Sequence, residues 1–150
     1  MQIELSELDE GIMEIRPREN LTAANAAEFK ILVQESLQKP DSLRSYLFNF
    51  TDLDFLDSSG ISSIVYLHRQ INKLNKSLAI VYESDQIEEV FVLTKLNKLL
   101  NLFQDYEEAL EELSDWTSLQ IFFFAQLKSN AWSNSSGGLT LYIDKIYLKS

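Results

Sequence analysis

Apolar residues recur with two different spacings over the first 113 residues, and these spacings predict strands and helices in alternation. At the N-terminus Ile3, Leu5 and Leu8 are assigned to one face of a strand, with Glu4 and Ser6 on the other. A turn at residues 9–11 leads into a second short strand over residues 12–15. The two segments are therefore predicted to form a hairpin.

Four segments carry apolar residues at steps of three and four, the spacing of an amphipathic helix. The first follows Thr22, which we predict as its N-cap, and the second covers residues 59–74. The third and fourth open at Asp85 and Asp105, each followed three residues later by a glutamate as in a capping box. Each helix is expected to bury one stripe of side chains.

Short apolar runs between these helices are predicted as buried strands. Residues 46–50 and 78–81 are almost continuously apolar, as expected for strands covered on both faces. Residues 99–103 form a further short candidate, so the predicted order is β-β-α-β-α-β-α-β-α. This order predicts an α/β fold in which a mixed, mainly parallel β-sheet forms one layer and helices cover it.

The composition fits one folded domain and argues against an enzyme. The 150 residues are 45% hydrophobic, enough for a core, and they include no cysteine, which excludes disulfides and thiolate metal ligands. His68 is the only histidine, and it lies about three helical turns beyond Ser58, too far for a Ser-His-Asp triad. Because the sequence also lacks a Gly-rich phosphate loop, we expect neither a cofactor nor a metal site.

The net charge of -10 is concentrated between residues 83 and 115, where ten acidic residues stand against Lys95 and Lys98. Such a surface repels phosphate backbones, which argues against direct nucleic-acid binding. It is either a solvated helix face or a docking face for a basic partner. No apolar run approaches the ~18 residues of a membrane span, and the N-terminus is unlike a secretory signal, so we expect a cytoplasmic protein.

The composition changes at about Ser114, and we divide the chain there into a domain over residues 1–113 and an extension over residues 114–150. Residues 116–150 carry one acid, three lysines and seven of the 17 aromatic residues. Residues 116–127 fit a helix and residues 139–143 a strand. Three interpretations stay open: the extension packs on the domain, it forms a homodimer or partner contact, or it is poorly ordered.

The segment Asp54-Phe55-Leu56-Asp57-Ser58-Ser59-Gly60 lies where a buried strand and a short loop lead into a helix. Ser58 is predicted at the helix N-cap, beside free N–H groups and the positive end of the helix dipole. A phosphate on that serine would be stabilised there, as anions generally are. A serine at an N-cap also needs no function, since capping alone stabilises a helix by about 1 kcal/mol.

The wider pattern resembles the STAS family, specifically the bacterial anti-sigma factor antagonists. Residues 48–60 resemble the family's strand, loop and Asp-Ser-Ser-Gly signature, and residues 20–26 resemble the entry to its first helix. Residues 93–99 resemble a stretch that ends a helix, and residues 106–110 resemble the start of the last helix. The resemblance covers about residues 1–113 and not the extension.

The resemblance implies a phosphorylation switch at Ser58, with Ser59 as the alternative acceptor. The implied partners are an anti-sigma factor, which is a serine kinase, and a PP2C-type phosphatase that removes the phosphate. In the family the unphosphorylated antagonist binds the anti-sigma factor and frees the sigma factor, and so regulates transcription. The residues expected to contact the partner are Asp54, Asp57, Ser58, Ser59, Gly60 and Thr22.

Two departures from the family pattern bear on these expectations. Thr22 stands where the family often has an acidic residue, and Lys95 replaces a usual glycine at a helix end. If the backbone there is left-handed, lysine costs about 1 kcal/mol relative to glycine. The main alternative function is a STAS-like subunit that needs no phosphorylation, for example in a lipid-transport ABC complex. A module that binds a nucleotide at the start of the Ser58 helix is a third.

Overall fold

The computed structural model describes residues 1–39 and 43–114, together with residues 123, 126 and 127. Within these residues the strands are β1 (Ile3–Leu8), β2 (Ile12–Pro17), β3 (Ser45–Phe50), β4 (Ser77–Tyr82) and β5 (Asn101–Phe103). The helices are α1 (Ala26–Leu37), α2 (Ser58–Lys73), α3 (Asp85–Leu93) and α4, which is described over residues 106–114. Short 3-10 turns, Asp9–Gly11 and Leu96–Lys98, precede β2 and β5.

The strands form one sheet in the order β1-β2-β3-β4-β5. β1 pairs with β2 antiparallel as the predicted hairpin, and every other neighbouring pair is parallel. The predicted α/β fold with a mixed, mainly parallel sheet is therefore confirmed. Because β2, β3 and β4 are parallel, their C-terminal ends meet along one edge of the sheet, which we call the carboxyl edge. Helices α1, α2 and α3 each follow one of these strands and begin on that side.

Two hydrophobic clusters lie on opposite faces of the sheet. The larger one joins the sheet to α1, α2 and α3, and the smaller one includes Ala109 and Leu113 of α4. Strand β3 is buried along its whole length and contributes to both clusters, with Phe48 on one side and Leu47 on the other. The prediction that this strand is covered on both faces is thus confirmed.

The prediction that Leu8 shares a face with Ile3 was wrong. Ile3 packs against the larger cluster, whereas Leu8 pairs with Ile12 and packs against the smaller one. The reason is the two-residue period of a strand, which places odd- and even-numbered side chains of β1 on opposite faces. The hairpin itself is as predicted.

The starts of α3 and α4 gave one wrong and one correct prediction. The N-cap of α3 is Ser84, whose Oγ accepts a hydrogen bond from the Gln86 N–H at 3.2 Å, so Asp85 is the first helical residue and not the cap. At α4, the Asp105 carboxylate accepts a hydrogen bond from the Glu107 N–H at 2.9 Å, as a capping residue does. At α3 two neighbouring residues, Ser84 and Asp85, can each cap the same free N–H groups, which is why the cap was misplaced by one position.

The backbone of Lys95, just after α3, is left-handed with φ 59° and ψ 18°. This is the conformation that favours glycine, so lysine there costs about 1 kcal/mol. Asn75 has a similar φ of 58°, but asparagine tolerates this region better than most residues. The departure from the family pattern at Lys95 is therefore a local backbone strain that the fold tolerates.

The predicted helix over residues 116–127 and strand over residues 139–143 lie outside the described residues, except that residues 123, 126 and 127 are helical. Within the described part, no helix is long and apolar enough to cross a membrane. Among the same residues, the His, Asp and Glu side chains form no group of three or more that could hold a metal ion.

Candidate functional site

Two loops meet at the carboxyl edge, one following β2 and the other following β3. Leu21 of the first loop and Leu56 of the second are both buried and form a parallel β-bridge. Next to this bridge the Asp57 N–H donates to the Leu21 carbonyl oxygen at 3.3 Å. The bridge therefore sets the starts of α1 and α2 side by side.

Asp57 is the N-cap of α2, so the prediction that Ser58 occupies that position was wrong by one residue. One oxygen of the Asp57 carboxylate accepts from the Gly60 N–H at 2.9 Å, and the other accepts from the Ala23 N–H at 2.8 Å. The physical reason for the shift is this second bond, which only a side chain at position 57 makes with the neighbouring loop. Ser58 is the first residue of the helix.

The hydrogen bonds to the carboxylate also change its acidity. The Gly60 N–H lowers the pKa of Asp57 most, and the N–H groups of Ala23 and Ser59 lower it further against the opposing effect of burial. These donors favour the charged form, since each points at a negative oxygen. The side chain is therefore an anion that already accepts the Gly60 N–H at the start of α2.

The two serines after Asp57 differ in exposure. Ser58 is exposed, and within the described residues its hydroxyl has no hydrogen-bond partner. Ser59 is half-buried on the next helical position. A macromolecular partner therefore meets the Ser58 hydroxyl before that of Ser59.

Gly60 is buried where α2 passes closest to the loop after β2. A Cβ atom added to Gly60 would lie 2.5 Å from the carbonyl oxygen of Leu21, which is closer than atoms of the two groups can approach. Glycine is thus required by the packing of α2 against the loop after β2. This role is structural and leaves the expected contact with a partner untested.

Thr22 lies in the turn before α1 and does not cap the helix, contrary to the prediction. The N-cap is Asn25, and α1 begins at Ala26. The Thr22 Oγ1 instead accepts from the Ala24 N–H at 3.3 Å, while the Asn25 Oδ1 accepts from the Thr22 N–H at 2.9 Å. These two hydrogen bonds stabilise the turn locally. Neither of them uses the Ala23 N–H, which donates to Asp57 instead.

Asn20 positions the loop after β3, a role that the sequence pattern did not predict for this residue. Its Oδ1 accepts from the backbone N–H groups of Asp54 and Phe55 at 2.8 and 3.1 Å. Both of those residues are exposed, and Phe55, three residues before Ser58, presents a large apolar side chain. The signal in the sequence was weak, because an asparagine in a turn is common for local reasons alone.

On the other side of the same loop Asp52 binds two arginines from the end of β2. The Asp52 carboxylate accepts from the Arg16 Nε at 2.9 Å and from an Arg18 guanidinium nitrogen at 2.9 Å. Arg18 also binds Glu4 of β1 at 2.7 Å. The bond from Arg16 and then the bond from Arg18 lower the pKa of Asp52. This ion-pair cluster ties the loop to the hairpin.

A groove of about 340 Å³ runs between the first turns of α1 and α2, and Ser58 lies in its wall. Small side chains line most of it, and Lys30 brings a charge to it. The lining residues are Ala23, Ala26, Ala27, Lys30, Ser58, Ser59, Ser62 and Ser63.

His68 takes no part in this arrangement. It lies ten residues beyond Ser58 on α2, which is about 15 Å along the helix axis. Its Nε2 lies 3.1 Å from the Asn72 side-chain nitrogen, and burial, followed by the charge of Arg69, lowers the pKa of the imidazole. His68 therefore lies in the middle of α2, away from the serines at the start of the helix.

The chain belongs to the STAS domain family, whose sequence profile matches residues 5–109. A protein of Thermotoga neapolitana that is named as an anti-sigma factor antagonist is 27% identical over 105 residues, which cover 69% of this chain and 91% of that protein. The predicted membership of this family is confirmed.

Solved structures share the fold. An anti-sigma factor antagonist from Thermotoga maritima superposes with a TM-score of 0.68 at 22% identity, covering 74% of this chain and 93% of that one. The Bacillus cell fate determinant SpoIIAA in its phosphorylated form gives a TM-score of 0.58 at 18% identity, covering 74% of this chain and 98% of that one. In each superposition, the part of this chain that is not covered is about as long as the C-terminal extension.

Proposed function

We propose that the protein is an anti-sigma factor antagonist, that it binds an anti-sigma factor serine kinase through the surface around Ser58, and that phosphorylation of Ser58 ends this binding. A PP2C-type phosphatase restores the binding form, and sigma-factor-dependent transcription is the output. In this proposal the protein and both of its partners act in the cytoplasm. The function rests on residues 1–113, to which residues 114–150 are an extension.

The observation that carries the proposal is the combination of an exposed Ser58 hydroxyl, which has no hydrogen-bond partner among the described residues, with a helix start that Asp57 holds in place. Relatives named as anti-sigma factor antagonists support the partner class, and one protein of the same fold was solved in a phosphorylated form. The half-buried position of Ser59 makes it the less accessible of the two serines.

The charge around Ser58 explains how a phosphate would block docking. Phosphorylation adds about -1.5 to -2 charges at pH 7. Asp57 and the exposed Asp54 are already negative, and Asp57 occupies the Gly60 N–H that would otherwise help to neutralise a phosphate. A partner docking here would have to desolvate this anionic cluster, so affinity falls without any change of fold.

The decisive experiment maps phosphate on the protein purified from its own cells by peptide mass spectrometry. We expect phosphate on the peptide that contains Ser58, its loss in Ser58→Ala, and its retention in the neighbouring control Ser59→Ala. Absence of phosphate from Ser58 under every growth condition tested would overturn the switch.

Binding tests the second half of the proposal. The tagged protein is expected to retain its kinase partner, and Ser58→Glu should weaken that capture by about tenfold or more, a change of roughly 1.4 kcal/mol. Ser58→Gln has a similar size without the charge and serves as the matched control. Equal capture by the two variants would contradict a mechanism based on charge.

A constitutive subunit of a larger assembly, such as a lipid-transport ABC complex, is the second candidate. The observation that favours it is an exposed apolar surface at the C-terminal end of α3 and in the segment after it, where Val92, Leu93 and Leu99 are 54%, 73% and 50% exposed. Stable co-purification of transporter subunits, with an unmodified Ser58, would select this function over the switch.

A further inference from the structure

The groove beside Ser58 carries a cationic side chain that no part of the proposed switch uses. Lys30 of α1 is half-buried, and its Nζ lies 4.7 Å from the centroid of the Tyr66 ring on α2. The Tyr66 hydroxyl in turn accepts a hydrogen bond from the Gln34 side chain at 2.8 Å. Among the residues that line the groove, Lys30 is the one with a charge.

Lys30 and Ser58 line the same groove from two different helices, α1 and α2. Residues 58, 62 and 66 are four apart, so their side chains follow one stripe of α2, and Ser58 lies about 12 Å along the axis from Tyr66. Lys30 lines the groove together with Ser62 and Ser63, which lie between these two positions on α2. Its flexible four-carbon stem lets the ammonium group swing towards either end.

The start of α2 offers a phosphate few other positive partners. The Asp57 carboxylate already accepts hydrogen bonds from the N–H groups of Gly60 and Ala23. The other charged side chains of the loop after Asp52 are Asp54 and Asp57, both negative. A dianion at position 58 is therefore surrounded by negative charge on the loop side and faces Lys30 on the groove side.

We propose that phosphorylation of Ser58 draws the Lys30 ammonium group away from the Tyr66 ring and into an ion pair with the phosphate across the groove. The inference rests on the proposed function for the presence of that phosphate in the cell. A dianion attracts an ammonium group more strongly than the face of a tyrosine ring does. The ion pair spans the groove, so the modified protein loses the contact between Lys30 and Tyr66 and part of the open groove.

The test installs phosphoserine at position 58 of the full chain during translation with an expanded genetic code, so it does not depend on any kinase. Phosphorus NMR then follows the second ionisation of the phosphate, whose ordinary pKa is about 6. We expect Lys30→Gln to raise this pKa by roughly 0.2 to 0.7 units, the range of an exposed ion pair, and Lys30→Arg to restore it.

Lys73→Gln is the matched control, because Lys73 lies at the other end of α2, about 22 Å from Ser58, and is screened at physiological salt. This variant should leave the phosphate pKa unchanged. A second readout is the set of Tyr66 ring-proton resonances. They should shift when phosphoserine is installed in the native sequence and should not shift in Lys30→Gln.

Two results would overturn the ion pair. One is a phosphate pKa that is the same in the native sequence and in Lys30→Gln. The other is a set of Tyr66 resonances that do not shift when phosphoserine is installed. Failure of the switch itself is separate, since it would appear as the absence of phosphate on Ser58 in the protein from its own cells.

Discussion

The loop over residues 51–57 is fixed on its two sides by different kinds of contact. On one side Asp52 binds Arg16 and Arg18 through ion pairs whose side chains are about one-third exposed. On the other side Asn20 and Asp57 bind backbone N–H groups, next to the buried bridge of Leu21. Water and salt weaken the first kind of contact, whereas the second depends mainly on fixed backbone geometry.

This difference indicates which contacts position Ser58. The ion pairs join the loop to the β1–β2 hairpin, away from α2, and their long side chains can re-form in several arrangements. The hydrogen bonds of Asp57 act within three residues of the start of α2 and link it to the turn before α1. We therefore expect substitutions on the hydrogen-bonded side to disturb the site, and substitutions on the ionic side to alter mainly its salt dependence.

The largest effect is expected from Gly60→Ala. The new Cβ would lie 2.5 Å from the Leu21 carbonyl oxygen, so α2 must move away from the loop after β2. Overpacking of this kind costs about 1–3 kcal/mol of unfolding free energy, measured by urea denaturation. Ser62→Ala, on the exposed side of the same helix, is the control and should change stability by less than about 0.5 kcal/mol. Equal effects would show that the contact of Gly60 with Leu21 is unimportant.

Asn20→Ala should have the next largest effect. It removes the acceptor of the Asp54 and Phe55 N–H groups, which then bind only water. We expect a loss of about 0.5–1.5 kcal/mol and faster amide hydrogen exchange at Phe55. Exchange at Tyr46, in the middle of the sheet, should change only as much as global stability does. Unaltered exchange at Phe55 would mean that this amide does not hold the loop.

Asp52→Asn should cost less, about 0.2–1 kcal/mol at low salt, because exposed ion pairs are screened by water. The difference from the native sequence should shrink further in 1 M NaCl, where the Debye length is about 3 Å. Asp54→Asn changes the charge by the same amount and is the control, since among the described residues Asp54 makes no salt bridge. If Asp52→Asn lowered the unfolding free energy equally at low and high salt, the ion pairs of Asp52 would not be what holds the loop.

Asp57→Asn keeps the helix cap, because asparagine caps helices about as well as aspartate, and at neutral pH it loses the charge and the second acceptor oxygen, which binds the Ala23 N–H. Its main consequence concerns pH. The folded pKa of Asp57 lies below the ordinary 3.8, so its stabilising contribution is complete above that value and is lost as the pH falls through the folded pKa. Urea titrations between pH 6 and 2 should therefore show the two proteins converging in acid. A constant difference across this range would exclude the proposed charge on Asp57.

The order of strands and helices could be predicted from the sequence because periodic apolar positions determine it locally. The cap of α2 could not, since Asp57 and Ser58 are both good capping residues and the choice depends on the Ala23 N–H of another loop. The assignment of Thr22 failed for a similar reason, because Asn25 organises that turn. Contacts between segments distant in sequence leave no periodic signal, which is why the role of Asn20 was also missed.

The site joins residues that are far apart along the chain. Ala23 and Asp57 are separated by 34 positions, as are Asn20 and Asp54, and their contacts form only when β2, α1 and β3 have assembled. Bringing such distant segments together carries a loop-closure cost that is repaid only late in folding. A partner that recognises this surface therefore binds only the folded domain. A nascent or damaged chain carries the same Asp-Ser-Ser-Gly sequence but does not present it, so such a chain would send no signal.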